Sequence, residues 1–379
     1  MALYFKKLGL LIVILCLTAK AFAGSPEKQI SDVLQLYING TANTKPDQIT
    51  KAFYPDADLL LTKAESPVWR VSAKEYISWY SKAKAGTATG RQGNILNIDV
   101  TGDIATAKVE IFNPSKKQYF IDLFLLRKVD KHWQIISKTA SQLFKDKNNH
   151  KILFIVSNAH FHGNSSLPTG VSYSEIVNAY HTFMQAGYTV EFVSPEGGAI
   201  PLAYINTSDE LAKQYLYNAD FMYAIKHTMS PEQITASQYK AVHYVGGGNA
   251  MYGVANNAKI QAITMEIYEK HQGVISSVCH GTAGIVFLKK SNGEYLVSGK
   301  KISGYPDEYE NQSKAYFKQF PFKITETIEH HGGTFHYSPR NKKHVEVDGR
   351  IVTGQNYLSS ASVAQEIINI IEAQVTVNQ

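Results

Sequence analysis

Two hydrophobic periods run along this chain, and one gives way to the other near residue 147. From Glu27 to Ile38 the apolar residues Ile30, Val33, Leu34 and Tyr37 recur at helical spacing. Ala73 to Lys82 repeats that spacing with Tyr76, Trp79 and Tyr80. Three strand-like runs follow, Ile95 to Val100, Ile104 to Phe112 and Tyr119 to Val129, and Trp133 to Leu143 makes a last strand. Thr101-Gly102-Asp103 and Asp130-Lys131-His132 supply the turns between them. Helices followed by an antiparallel meander predict an α+β domain.

Beyond the polar run Lys145-Asp146-Lys147-Asn148-Asn149-His150, strands and helices alternate. Ile152 to Ser157, Thr189 to Val193, Ala241 to Val245 and Val274 to Val278 read as buried strands, and Arg350 to Gly354 closes the sheet. Tyr173 to Gln185, Ala258 to His271 and Ser360 to Ala373 read as helices. Buried parallel strands between helices predict a doubly wound α/β domain with its site at the carboxyl ends of the strands. The expected division is a signal peptide over 1–23, a first domain over 24–147 and a second over 148–379.

Lys6 and Lys7 followed by the apolar stretch Leu8 to Thr18 and by Ala21-Phe22-Ala23 have the layout of a secretory signal with cleavage after Ala23. The stretch is shorter than the roughly 20 apolar residues of a membrane span. The expected location is therefore periplasmic or secreted, with no membrane association after cleavage. Of two cysteines, Cys16 lies in that segment, which leaves Cys279 as the one thiol and no internal disulfide. Three of the charges behind the formal net +6 are Lys6, Lys7 and Lys20. The remainder is too small and scattered to indicate nucleic acid.

Cys279 sits where a nucleophile would sit. Val274-Ile275-Ser276-Ser277-Val278 reads as a strand, Cys279-His280-Gly281 follows at once, and Thr282 to Leu288 reads as a helix. A sharp strand-to-helix turn lifts its side chain above the sheet. A helix N-terminus there would favour the thiolate and lower the thiol pKa. The bland alternative is a buried, inert cysteine.

Residues 26–143 resemble the nuclear transport factor 2-like superfamily, in its lumazine-binding branch. The match rests on Tyr37-Ile38-Asn39-Gly40, Ala52-Phe53-Tyr54-Pro55-Asp56-Ala57, Ile98-Asp99-Val100-Thr101-Gly102-Asp103 and Trp133-Gln134-Ile135-Ile136. This resemblance implies cone-like helices plus an antiparallel sheet, a ligand cavity or a homodimer contact, with Trp69, Trp79 and Trp133 as lining or as ordinary core.

Residues 151–372 resemble the ThiJ/PfpI superfamily, in the branch of glyoxalase III and the heat-shock chaperones. The resemblance is carried by Gly170-Val171 with Glu175, by Gly187-Tyr188-Thr189-Val190-Glu191-Phe192-Val193-Ser194-Pro195, and by Gly246-Gly247. It continues in Val278-Cys279-His280-Gly281, Gly304-Tyr305-Pro306-Asp307-Glu308 and Gly349-Arg350-Ile351-Val352-Thr353-Gly354-Gln355-Asn356. It implies a flavodoxin-like, class I glutamine amidotransferase-like fold. The implied site has Cys279 as nucleophile, Glu175 facing the sulfur, and His280 beside it. An orienting acid comes from Glu310 or Asp307, with Glu310 favoured by spacing, and oxyanion N–H groups come from Gly246 and Gly247. Relatives usually carry Gly-Gly-His-Gly where this chain has Gly246-Gly247-Gly248-Asn249, so a customary histidine is missing.

The implied function is a glutathione-independent, cofactor-free conversion of methylglyoxal to lactate, of the D-lactate dehydratase type. The alternatives are a holdase chaperone or deglycase acting on unfolded or glycated proteins, and a cysteine amidase or peptidase. For the last, His344-Val345-Glu346 mimics an amidotransferase His-x-Glu but lies beside the turn Asp348-Gly349, where a hairpin edge is expected. His160 and His162 would share a strand face, and His330, His331 and His336 cluster in sequence. Neither group has the cysteine or carboxylate that would complete a metal site, and none is assigned.

Overall fold

The computed structural model describes residues 24–63, 65–81, 85–143, 147–148 and 150–377. The expected signal peptide, residues 1–23, lies outside the described residues. The chain divides into two compact units, Met1–Lys145 and Asp146–Gln379.

In the first unit, Ser25 caps helix α1 (Pro26–Ala42) by accepting from the Lys28 N–H at 3.3 Å. A short α2 (Pro46–Ala52) leads into strands β1 (Phe53–Lys63) and β2 (Ser66–Ser72), then α3 (Ala73–Ser81). Strands β3 (Gln92–Thr101), β4 (Ile104–Asn113), β5 (Gln118–Val129) and β6 (His132–Gln142) complete a sheet ordered β2-β1-β6-β5-β4-β3. Its pairs are antiparallel except β1 with β6. β1 and β2 lie outside the sequence expectation because Pro55, Asp56 and Asp58 break the alternation. Pro55 falls inside the register shift between Phe53 and Asp58, where its missing N–H costs no ladder bond.

A buried polar cluster lies on one face of this sheet. Lys138 Nζ meets Asp122 Oδ1 at 3.0 Å, both nearly inaccessible. Tyr37 donates to Asp122 Oδ2 at 2.7 Å, and Arg91 reaches the hydroxyls of Tyr80 and Tyr37. Burial pushes the Lys138 ammonium down in pKa, and Asp122 offsets part of that. Of the tryptophans, Trp69 stacks on Trp79 at 5.6 Å, whereas Trp133 is buried in β6.

The second unit is built on strands β7 (Lys151–Ile155), β8 (Thr189–Val193), β9 (Tyr239–Tyr244), β10 (Val274–Val278), β11 (Val345–Asp348) and β12 (Ile351–Gly354). They are ordered β11-β12-β10-β9-β7-β8 and are parallel except for β11, which pairs antiparallel with β12. Two apolar clusters cover the sheet. One holds Phe154, Phe183 and Ile367, the other Leu153, Ile267 and Ile275. Coverage of both faces is why these strands read as continuous apolar runs. Helices α4 (Tyr173–Gln185), α5 (Ala258–Glu269) and α6 (Ser360–Val377) alternate with the strands, giving the doubly wound α/β class.

Candidate active site

β10 ends at Val278, and Cys279 turns the chain with φ of 56°. A left-handed backbone at a non-glycine residue costs about 1–3 kcal/mol and persists only where its surroundings hold it. Here Ser277 and Thr282 join hydroxyls across the turn at 2.8 Å, and Thr282 also donates to the Ser303 carbonyl. The following segment, expected as a helix over 282–288, is instead a 3-10 turn over Cys279–Ile285. Gly281 and Gly284 explain this. A Cβ at 281 would overlap the Tyr244 carbonyl, and one at 284 would overlap the Tyr244 ring. The glycines bring the turn hard against β9 at the expense of helix propensity.

The sulfur has a neighbour on each side. Cys279 Sγ lies 3.5 Å from His280 Nδ1, and His280 Nε2 lies 2.5 Å from Glu310 Oε1. The other oxygen of Glu310 accepts from the Tyr316 hydroxyl at 2.9 Å. Burial pushes the Glu310 carboxyl up, but the bond to His280, the imidazole charge and the Tyr316 bond outweigh it and hold the group below the usual carboxylate range. An ionised Glu310 requires Nε2–H as donor, which leaves Nδ1 as the ring nitrogen facing the thiol. The ring stacks on Tyr305 at 4.8 Å and meets the edge of Phe320 at 5.7 Å, which fixes its plane.

Opposite lies Glu175, in the first turn of α4 and 2% exposed. Its Oε2 accepts the Gly246 N–H at 2.9 Å, and its carboxyl hydrogen-bonds Cys279. Burial pushes Glu175 up to about 7, against the pull of Cys279, His280, Ser172 and the Gly246 N–H. Gly246 must be glycine. An added Cβ would run into the Glu175 carboxyl and come within 2.9 Å of Cys279 Cβ.

Two expectations need correction. Burial, and then the Glu175 charge, push the Cys279 thiol up, and the backbone N–H of His280 only partly opposes them. The lowering expected from a helix N-terminus is not present, because the turn is a short 3-10 segment and the sulfur is buried beside a carboxyl. Gly246 does not offer its N–H to an oxyanion, since Glu175 already holds it. Gly247, with φ of 108°, lines the pocket with Gly248.

Asp307 has a different task from Glu310. Its two oxygens accept the N–H groups of Ile324 and Glu326 at 2.9 and 3.1 Å, at the start of the helix Ile324–His330. His344 and Glu346 bond each other at 2.9 Å on the hairpin edge and do not line the pocket. His331 stacks on Tyr295 and bonds the Val286 carbonyl, a packing arrangement. Among the described residues no three histidine, cysteine or carboxylate groups are placed to share a metal ion.

The pocket over Cys279 encloses about 580 Å³. Its walls include Tyr316 and Phe320 and also His162, Tyr204 and Arg340. Sequence reasoning assigned none of these a role. They come from separate loops with no periodic signal, and only the fold brings them together.

Comparison with known proteins identifies the family of this unit. Residues 166–370 match the DJ-1/PfpI family. The chain belongs to that family. Residues 25–141 match the family described as "Putative lumazine-binding". The DJ-1/PfpI part is 28% identical over 217 residues to the glutathione-independent glyoxalase hsp3101 of Schizosaccharomyces pombe, covering 53% of this chain and 87% of that protein. It is likewise 28% identical over 217 residues to glyoxalase 3 of Candida albicans, covering 54% and 90%. The crystal structure of glyoxalase III from Candida albicans superposes with a TM-score of 0.54 at 25% identity, over 59% of this chain and 98% of that one.

Proposed function

We propose that the DJ-1/PfpI unit is a glutathione-independent glyoxalase acting on small 1,2-dicarbonyls, converting methylglyoxal and water to lactate. The observation that carries this reading is the pairing of Cys279 with a buried Glu175 whose carboxyl titrates near neutrality. Such a group can both give and take a proton at working pH. The relatives named as glyoxalases support the same chemistry.

In this mechanism His280 Nδ1 accepts the thiol proton as sulfur attacks the aldehyde carbon, which makes the high thiol pKa workable. The hemithioacetal oxygen is met by two backbone N–H groups, that of Gly247 in the loop after β9 and that of His280 in the elbow. Glu175 removes the hydrogen from the former aldehyde carbon and returns a proton to the neighbouring carbon. The hemithioacetal thereby becomes a thioester of the 2-hydroxy acid. Water then cleaves the thioester, releasing lactate and the thiol. The two carbons exchange oxidation level internally, so no external oxidant or cofactor enters.

We also propose that the enzyme works after export, with Gly24 as its first residue. The test of function is lactate formation from methylglyoxal without glutathione. Wild type is expected to turn over, and Cys279→Ser is expected to be inactive. Wild-type protein that leaves methylglyoxal unchanged would refute the reading.

A further inference from the structure

His162 is 8% exposed, yet it takes no part in the chemistry above. It lines the same pocket as Cys279, Glu175 and His280, and it senses the charges of His280 and Glu310. Its Nδ1 lies 3.3 Å from the Tyr252 hydroxyl. Its ring is packed against Tyr252, Tyr316 and Phe320, with centroids 5.9, 5.5 and 6.1 Å away. Nε2 has no partner among the described residues, on a ring that borders the cavity.

Neighbouring residues make this placement possible. A Cβ on Gly248 would come within 2.8 Å of His162 Cε1 and of Thr169 Oγ1, so any other residue there would displace the imidazole. Asn249, fully buried, donates to the carbonyls of Ser157 and Ala159 at 3.0 and 3.3 Å, and Ser157 in turn bonds the Tyr252 carbonyl. Gly248 gives the ring its room, and Asn249 ties down the loop that delivers it. His160 and Phe161, in the same loop, are turned outward.

We propose that His162 is a substrate-positioning residue that donates its Nε2–H to the second oxygen of a 1,2-dicarbonyl bound at Cys279. This inference rests on the glyoxalase reading and deepens it. The role requires the tautomer in which the Tyr252 hydroxyl donates to Nδ1, so that the ring proton is on Nε2. Burial and the nearby His280 push the His162 pKa down, so the ring stays neutral and acts as a hydrogen-bond donor. The first oxygen of the substrate has the backbone N–H groups of Gly247 and His280. The second gains negative character in the enediol formed during proton transfer, and a neutral imidazole is a suitable donor to it.

The test follows alkylation of Cys279 by iodoacetamide at increasing methylglyoxal, where hemithioacetal formation shields the sulfur without requiring turnover. Acetaldehyde, which lacks the second oxygen, serves as the control shield. In His162→Ala the half-shielding methylglyoxal concentration should rise about fivefold to tenfold, the loss expected for one hydrogen bond to the bound ketone oxygen. Shielding by acetaldehyde, and the alkylation rate without either aldehyde, should stay within about twofold of wild type. His162→Gln, which keeps a donor, should recover part of the loss, and Tyr252→Phe should fall between. Equal methylglyoxal shielding of wild type and His162→Ala overturns the role of His162 alone. So does an equal loss of shielding by both aldehydes. If methylglyoxal does not shield wild-type Cys279 at all, the glyoxalase reading falls and takes this proposal with it.

Discussion

Glu310 Oε1 lies 2.5 Å from His280 Nε2, and this bond decides which imidazole nitrogen faces Cys279. With the proton held on Nε2, Nδ1 is left 3.5 Å from the sulfur as an acceptor. Glu310→Gln can present an N–H to the same nitrogen and turn the tautomer round, so kcat/KM is expected to fall roughly 100-fold or more. Asp307→Ala should leave kcat/KM within about twofold and lower stability by about 1 kcal/mol through its helix cap. Steady-state kinetics and thermal melts of both variants check the division of roles between these two acids.

Glu175 should make stability depend on pH. Its folded pKa of about 7 lies above the reference value of 4.5, so the folded state binds more protons between those limits. Stability from this group is present at low pH and is lost as pH rises through that window. The loss amounts to on the order of 3 kcal/mol over the full window. Glu175→Gln lacks this loss. Its melting temperature relative to wild type should therefore be higher at pH 8 than at pH 5, by several degrees. An advantage that shrinks with rising pH would contradict the environment assigned to Glu175.

In the first unit, Asp122→Ala strips the counter-charge from buried Lys138 and one partner from Tyr37. A buried charge left unpaired costs about 3–5 kcal/mol. Asp122→Leu combined with Lys138→Met removes both charges and should lose clearly less than Asp122→Ala. Denaturant melts of the single and double variants measure the difference.

Gly24 should be the N-terminal residue of the native protein. N-terminal sequencing of protein from the non-cytosolic fraction tests this, and retention of Met1 would contradict export.

The α/β domain was legible because its strands are buried on both faces and therefore write themselves as apolar runs, as in Ile152 to Ser157. The first domain was only partly so. β1 carries Pro55, Asp56 and Asp58, and its fit depends on a register shift that only β6 reveals. At the site, the elbow around Cys279 was visible as small residues flanking a strand end. The 3-10 form of the next segment was not, because it depends on the contact of Gly281 and Gly284 with Tyr244. Choosing between Glu310 and Asp307 needed the helix at Ile324 in place. His162 stood out only as half of a His160/His162 pair weighed for metal, and Tyr316 and Phe320 had no local signature, since their meeting is a property of three-dimensional packing.

Mass spectrometry of wild type and Glu175→Gln after exposure to methylglyoxal gives the most direct measurement of the proposed chemistry. Wild type should release lactate and keep an unmodified Cys279 once the substrate is consumed. Glu175→Gln, able to form the hemithioacetal but unable to move the proton, should carry one methylglyoxal on Cys279 and yield about 100-fold less lactate or lower still. Lactate formation by Glu175→Gln at the wild-type rate, or wild type that neither binds methylglyoxal at Cys279 nor makes lactate, would contradict it.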